Sequence, residues 1–414
     1  MRKNRVRFSA LIALLFGAPL FRQALGQGDV SFGNRADLEA RFGPVSLSVS
    51  DFNGDAIEDL AVAVSGFHNV YIFLGEGNGQ FALARTLDVG RGLRSITTAD
   101  FDGDGHQDLA LADQETHAAM ILMGRGDGTF DPPQSFGVGV WPQFITTGDL
   151  NGDGIPDLAV ANTGDPSGTP GTTVSVLLGL GDGTFAPAPP VKVGSRPFSI
   201  AVGDFNGDGR SDLAVANLAS SEVSILLGSG AGRFEPARQF SVGKGGASSI
   251  AVGDFNGDDV LDLVVADGSG STFVLSSTVA VLLGDGDGTF GPARHFEAGI
   301  NPSSVSVADF NGDGIADLAV ASWGSAEAII LLGRGDATFQ PGRAFKVNRG
   351  PRSVVVGDFN GDGRPDLAVA NWDHLACRLR YWAIFSGFCS LGTTVSVLLN
   401  DTSWPANEAP SRLR

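Results

Sequence analysis

The sequence predicts an all-β chain folded as a seven-bladed β-propeller, each blade a four-stranded antiparallel sheet. Three observations carry the prediction. One segment recurs seven times, each period reads as four short strands, and the two ends of the chain lack complementary pieces of a repeat.

The recurring segment is DFNGDAIEDLAVA from residue 51, DFDGDGHQDLALA from 100, DLNGDGIPDLAVA from 149 and DFNGDGRSDLAVA from 204. DFNGDDVLDLVVA from 254, DFNGDGIADLAVA from 309 and DFNGDGRPDLAVA from 358 complete the set. Successive starts lie 49, 49, 55, 50, 55 and 49 residues apart. A second element follows the first six copies, as in VLLGLGDGTFAPA from 176 and VLLGDGDGTFGPA from 281. In the fourth period the strands read as 199–203, 212–216, 223–227 and 234–242, divided by Gly, Asp and Asn turns. The second and third are unbroken apolar runs, the pattern of strands covered on both faces. No stretch sustains a 3.6-residue period, so helices are not expected.

The seventh repeat stops after its third strand, TTVSVLL at 393–399, and a polar tail with Pro405 and Pro410 follows. The missing piece has a counterpart near the start, where Val30-Ser31-Phe32-Gly33 reads like Gly288-Thr289-Phe290-Gly291. An N-terminal strand completing the last blade would close the ring and remove open sheet edges, whereas an open solenoid needs no such matching deficit. Residues 27–400 are therefore assigned to the propeller and 401–414 to a polar tail.

Residues 1–26 read as a signal peptide. Arg2, Lys3, Arg5 and Arg7 precede an apolar stretch from Phe8 to Leu20, and Ala24 and Gly26 supply the small residues of a cleavage site. The apolar stretch is short for a membrane span; an uncleaved anchor is the alternative. A secreted, periplasmic or cell-surface location follows, with no membrane span after cleavage. The whole chain carries a formal charge of −18, and losing five basic residues with the leader takes it to −23. That balance makes nucleic acid a poor partner, because binding a polyanion needs a basic face.

Clustered carboxylates explain the excess of acid. Each repeated turn offers oxygen side chains at positions 1, 3, 5 and 9 and a backbone carbonyl at position 7. The first turn supplies Asp51, Asn53, Asp55, Asp59 and the carbonyl of Ile57, and the second Asp100, Asp102, Asp104, Asp108 and that of His106. The third supplies Asp149, Asn151, Asp153, Asp157 and the carbonyl of Ile155, and the fourth Asp204, Asn206, Asp208, Asp212 and that of Arg210. The fifth has Asp254, Asn256, Asp258, Asp262 and Val260; the sixth, Asp309, Asn311, Asp313, Asp317 and Ile315; the seventh, Asp358, Asn360, Asp362, Asp366 and Arg364. Two unit charges 4 Å apart repel by about 4 kcal/mol at an effective dielectric of 20. A hard divalent cation with six or seven oxygen ligands removes the conflict, and Ca²⁺ tolerates irregular geometry better than Mg²⁺. The alternative is that Asp, Asn and Gly are simply good turn formers. Generic turns, however, need no Asp at positions 1, 5 and 9 in all seven copies. Up to seven structural Ca²⁺ ions are expected, which would bring the mature charge to −9. Ala56 and Asp259 replace the Gly at position 6, where positive φ is expected, so the first and fifth turns fit the pattern less well.

These turns resemble the calcium loops of the FG-GAP/VCBS-type repeat proteins, relatives of the integrin α-subunit propeller, with the pattern D-x-[ND]-x-D-G-x-x-D between the first two strands of a blade. The resemblance covers residues 30–399. It implies a seven-bladed propeller, calcium in the turns, and adhesion or ligand binding on a loop face. Unlike integrins, this chain carries the loops in all seven repeats.

In an antiparallel blade the calcium turns share one face with the third-to-fourth connections. The opposite face receives Trp141, Trp323 and Trp372, together with Arg94, Arg196 and Arg352, and the insertion 373–393 with Trp382. Aromatics with Arg suit sugar- or protein-binding surfaces, although blade-to-blade packing is at least as good a use for the tryptophans and the reading that weighs more. Cys377 and Cys389 lie in the same insertion; in an oxidising compartment a disulfide is the natural reading, with two free thiols as the alternative. Arg125-Gly126-Asp127 and Arg334-Gly335-Asp336 follow from the repeat's own Gly-Asp frame and are discounted as recognition tripeptides. The five histidines show no metal spacing, and no Ser or Cys nucleophile motif is present. The expected function is a monomeric, non-catalytic binding or adhesion module for a saccharide or cell-surface protein. A polysaccharide lyase or hydrolase on the same scaffold is the second reading, and a purely structural envelope component the third.

Overall fold

The structure is a computed structural model that describes residues 30–40, 43–66, 68–165, 168–243, 245–268, 276–372 and 393–403. The leader, Cys377, Cys389 and Trp382 lie outside these residues, as does the tail beyond 403. The described residues form an all-β, seven-bladed propeller, and no described helix is long and apolar enough to cross a membrane.

The first blade runs Pro44–Ser50, Asp59–Val64, Asn69–Gly75 and Phe81–Asp88, paired in that order. Blades two, four, five and six repeat the scheme, opening at Leu93, Pro197, Ala247 and Pro302, while blade three, opening at Pro142, has its outer strand in two pieces, Phe185–Pro187 and Val191–Lys192, both paired with Thr173–Gly179. In the seventh, Pro351–Gly357, Asp366–Trp372 and Thr393–Asn400 are joined at the outer edge by Phe32–Glu39, which pairs antiparallel with Thr393–Asn400. The first strands of successive blades stand side by side around the axis, with that of blade 1 beside that of blade 7.

The second strand of each blade is buried along its length, as in Asp212–Asn217, apart from the half-buried Trp372 that ends the one in blade 7, because its two faces meet the neighbouring blades. The core is accordingly not one cluster. It divides into seven layers, each shared by two consecutive blades, including one between blades 7 and 1 built from Leu47, Leu60, Phe359 and Val397. Burial of apolar area at about 25 cal/mol per Å² makes these layers the main stabilising element.

Edge-on aromatic pairs pin every layer but the one between blades 3 and 4, where Leu150 stands in place of the turn phenylalanine. Phe290 in the third-to-fourth turn of blade 5 meets Phe205 and Phe240 of blade 4 edge-on, with centroids at 5.7 and 5.6 Å. Phe185 meets Phe101 and Phe136 in the same way, and Phe339 meets Phe255 and Phe296. Phe32 occupies the equivalent place against Phe310 and Phe345. Edge-to-face pairs of this kind contribute about 0.5–1.5 kcal/mol beyond their burial.

Serines tie the inner strands together. The Oγ atoms of Ser46, Ser95, Ser199, Ser249 and Ser304 accept hydrogen bonds from the amides of Ile96, Ile145, Ile250, Val305 and Val354 in the next blade, at 3.2–3.3 Å. Every first strand also shifts register between its first and third residues, leaving the second unpaired.

The fourth strand departs from expectation. The sequence suggested one strand over 234–242, but Arg233–Phe234 pairs in a small ribbon with Gly228–Gly230, and the outer strand is only Arg238–Ser241. Pro236, which lacks an N–H, separates the two pieces.

Candidate metal centre

The repeated turn is a chain of Asx turns. In blade 4, Asp204 accepts from the amides of Gly207 and Gly209, both at 2.8 Å, while Asn206 Oδ1 accepts from Asp208 N and Asp208 Oδ1 from Arg210 N. Asn206 Nδ2 donates to Asp208 Oδ2 at 3.2 Å. These bonds curl the turn back on the position-1 carboxylate and pair the side chains at positions 3 and 5. The same pattern recurs at Asp51/Asn53/Asp55, Asp149/Asn151/Asp153, Asp254/Asn256/Asp258 and Asp309/Asn311/Asp313. It holds in large part at Asp358/Asn360/Asp362. Ala56 and Asp259 at position 6 both adopt φ of 65°, the conformation that glycine takes elsewhere.

The ninth residue has a second role that its spacing does not reveal. Asp59, Asp108, Asp157, Asp212, Asp262, Asp317 and Asp366 are completely buried. One carboxylate oxygen of each accepts the amide of turn residue 2: Phe52, Phe101, Leu150, Phe205, Phe255, Phe310 and Phe359. The other accepts an amide at the end of the third strand: Gly75, Gly124, Gly179, Gly228, Gly284, Gly333 and Asn400. The residue thus knots the turn to the third strand.

Burial is the main force raising the pKa of these carboxyls, and repulsion from other turn aspartates adds to it; the two amides only partly compensate. Asp317 is pushed up to about 8, Asp108 and Asp366 to about 7, and Asp59, Asp157 and Asp262 to about 6. Asp212 is raised by the same causes. In blade 2, where Asp102 replaces the usual Asn, carboxylate oxygens of Asp100, Asp102 and Asp108 lie within 4.8 Å of one another. Burial, and then repulsion from Asp104 and Asp100, raise Asp102 as well. A hard divalent cation suits such an all-oxygen set.

Position 2 of the turn also touches the next blade. The carbonyls of Phe52, Phe101, Phe205, Phe255 and Phe359 accept the amides of Gly128, Gly183, Gly288, Ala337 and Gly79, at 2.8–3.2 Å. The RGD-like tripeptides lie in these third-to-fourth turns. Asp127 accepts from Thr129 N just as Asp182 does in a turn with no arginine, which marks a framework role. The His106 ring stands over Gly126, where a Cβ would approach its Nδ1 to 2.2 Å.

On the opposite face Trp141, Trp323, Trp372 and Arg196 are all half-buried. Trp372 leans on the layer between blades 1 and 2, and its indole fills the space a Cβ on Gly43 would need. Trp323 stands by Gly350 at the equivalent place one blade earlier. Packing therefore uses much of these rings. Arg352 lies over the Trp372 ring, its guanidinium carbon 4.4 Å from the centroid. Arg94 Nε donates to Gln114 Oε1 at 2.7 Å, and Gln114 Nε2 to Gln143 Oε1 at 3.1 Å. The arginines stand out in the sequence and the two glutamines, whose link crosses from blade 2 to blade 3, do not.

Fold and turns together define a class, the propellers whose blades are built from Asp-rich repeats. The chain belongs to the FG-GAP-like repeat family, which matches residues 51–111, 100–160, 160–215, 204–265, 267–320 and 315–369. No curated protein matches the sequence. Among solved structures it is similar to an Agrocybe aegerita lectin that recognises non-reducing terminal N-acetylglucosamine, at 20% identity and a TM-score of 0.50, covering 76% of this chain and 80% of that one. It is also similar to BBS1N in complex with ARL6DN, at 11% identity and a TM-score of 0.60, covering 92% and 99%. A third similar structure is the periplasmic gluconolactonase PpgL of Pseudomonas aeruginosa, at 15% identity and a TM-score of 0.55, covering 75% and 86%. At these identities the likeness is one of fold.

Proposed function

We propose that the chain is an exported calcium-binding propeller that acts as a non-catalytic binding or adhesion module for a saccharide or a surface protein. The observation that carries the metal assignment is the convergence of Asp100, Asp102 and Asp108, together with the raised pKa of Asp108 and of the ninth-position carboxyls of other turns such as Asp317 and Asp366. Side-chain oxygens at positions 1, 3, 5 and 9 would hold each ion, with the carbonyl at position 7. The ion supplies positive charge where burial and repulsion make carboxylates costly. Because position 2 of the same turn bonds to the next blade, its role is structural. The Arg- and Trp-bearing face opposite the turns is the proposed ligand surface. A recognition role agrees with the lectin and the partner-bound propeller among the similar folds.

The test combines a melt and a screen. Chelation by EDTA of dialysed protein is expected to lower the melting temperature, and restored Ca²⁺ to recover it; an unchanged melt would overturn the metal assignment. A glycan array with Ca²⁺ present is expected to show binding without product release. Appearance of reducing ends or unsaturated sugars would identify an enzyme instead.

A further inference from the structure

Arg94 and Arg352 occupy the same place in their blades. Each is the unpaired residue at the start of the innermost strand, at the axial end remote from the Asp-rich turns. Blade 1 stands between their blades and offers Val45 at this position. The two cations are close enough that Arg94, after burial, is a cause of the depressed pKa of Arg352, which falls to about 10.

What supports the pair is neutral. Trp372 lies under the Arg352 guanidinium, and Gln114, itself bonded to Gln143, holds Arg94 Nε. Arg352 Nε is buried without a hydrogen-bond partner. Among the described residues neither arginine forms an ion pair; the exposed Glu115 acts on Arg94 only through its field. This is a chain of 46 acidic against 28 basic residues, so an adjacent acid would be the ordinary way to neutralise two partly buried cations. Arginine also presents a planar fork of donors that matches carboxylates and sulfates.

We infer that Arg94 and Arg352 form a subsite for an anionic group of a saccharide, a uronate carboxylate or a sulfate ester, at the axial end of the binding face. The inference rests on the reading of that face as the ligand surface and adds the charge of what it takes. An anion relieves the repulsion between the two cations, and Trp372 offers a sugar the edge of an aromatic platform. Gln143 carries the contact into the next blade.

The experiment is calorimetry on the calcium-loaded, full-length mature protein. The probes are neutral glucan oligosaccharides, an oligoglucuronate, its methyl ester, and a sulfated glucan of the same length. The acid or the sulfated probe is expected to bind at least tenfold tighter than its uncharged counterpart. Preference between the two identifies the anion. Arg94→Gln with Arg352→Gln is expected to abolish that preference, and Arg352→Lys to reduce it less. Equal affinity for the acid and its ester overturns the inference, as does unchanged affinity in a double variant that melts like the parent. If the double variant misfolds, the comparison of acid and ester on the unaltered protein decides alone. Binding of neutral glucans without charge preference removes the anion subsite but keeps the binding face; no saccharide binding removes both.

Discussion

Ala56 is an alanine in a conformation that glycine holds in five of the seven turns, with φ of 65°. An L-residue there costs about 1–2 kcal/mol, so Ala56→Gly is expected to raise stability by about 1 kcal/mol in a denaturant titration. No gain, or a loss, would show that the strain is relieved by other means. The same scale governs the response to pH. The ninth-position carboxyls have folded pKa values raised well above 3.8, to about 8 for Asp317 and about 7 for Asp108 and Asp366. The folded chain then holds these protons more tightly than the unfolded one. Their contribution is fully present below about pH 4 and is lost as pH rises through 6–8. Metal-free protein should therefore melt at progressively lower temperature between pH 5 and 8, while the stabilisation from added Ca²⁺ grows over the same interval. A metal-free melt that climbs across that range would contradict the assignment.

At the level of strands and turns, the second strands were readable because continuous runs such as Asp212–Asn217 can only be covered on both faces. The turns were readable because the same oxygens recur in register. Outer strands were not: Arg238–Ser241 is mostly exposed, anchored by Phe240 alone, and shortened by Pro236, so no apolar run marks its limits. Nor could sequence show that Ser199 accepts from Ile250, or that the carbonyl of Phe205 accepts from Gly288, since both bonds join residues about fifty or more positions apart. The twofold duty of Asp212 escaped for the same reason; its spacing announced a ligand and said nothing of Gly228. The joint at Phe205 is open to test. Its ring is buried between two blades, and Phe205→Ala is expected to cost about 3–5 kcal/mol. A loss under 1 kcal/mol would mean the ring is not a joint.

Across the whole molecule, seven inter-blade layers of similar construction share the load, and the one between blades 6 and 7 includes Val30 from ahead of the first repeat. Deleting residues 30–40 would strip Phe32 from Phe310 and Phe345 and bare the edge of Thr393–Asn400. An uncovered edge invites pairing with another chain. The truncated protein is expected to melt lower and to sediment as dimers or larger species; a monomer with the parent's melt would show that the strand is dispensable.

The hydrogen bonds of Ser31 with Asp401 and Thr402, made through backbone and hydroxyl at 3.0–3.1 Å, have a geometric consequence. Any polypeptide leading into residue 30 and any leading out of residue 403 meet the disc at one spot on its circumference. A partner joined directly ahead of residue 30 and another joined directly after residue 403 would therefore be held beside each other on blade 7.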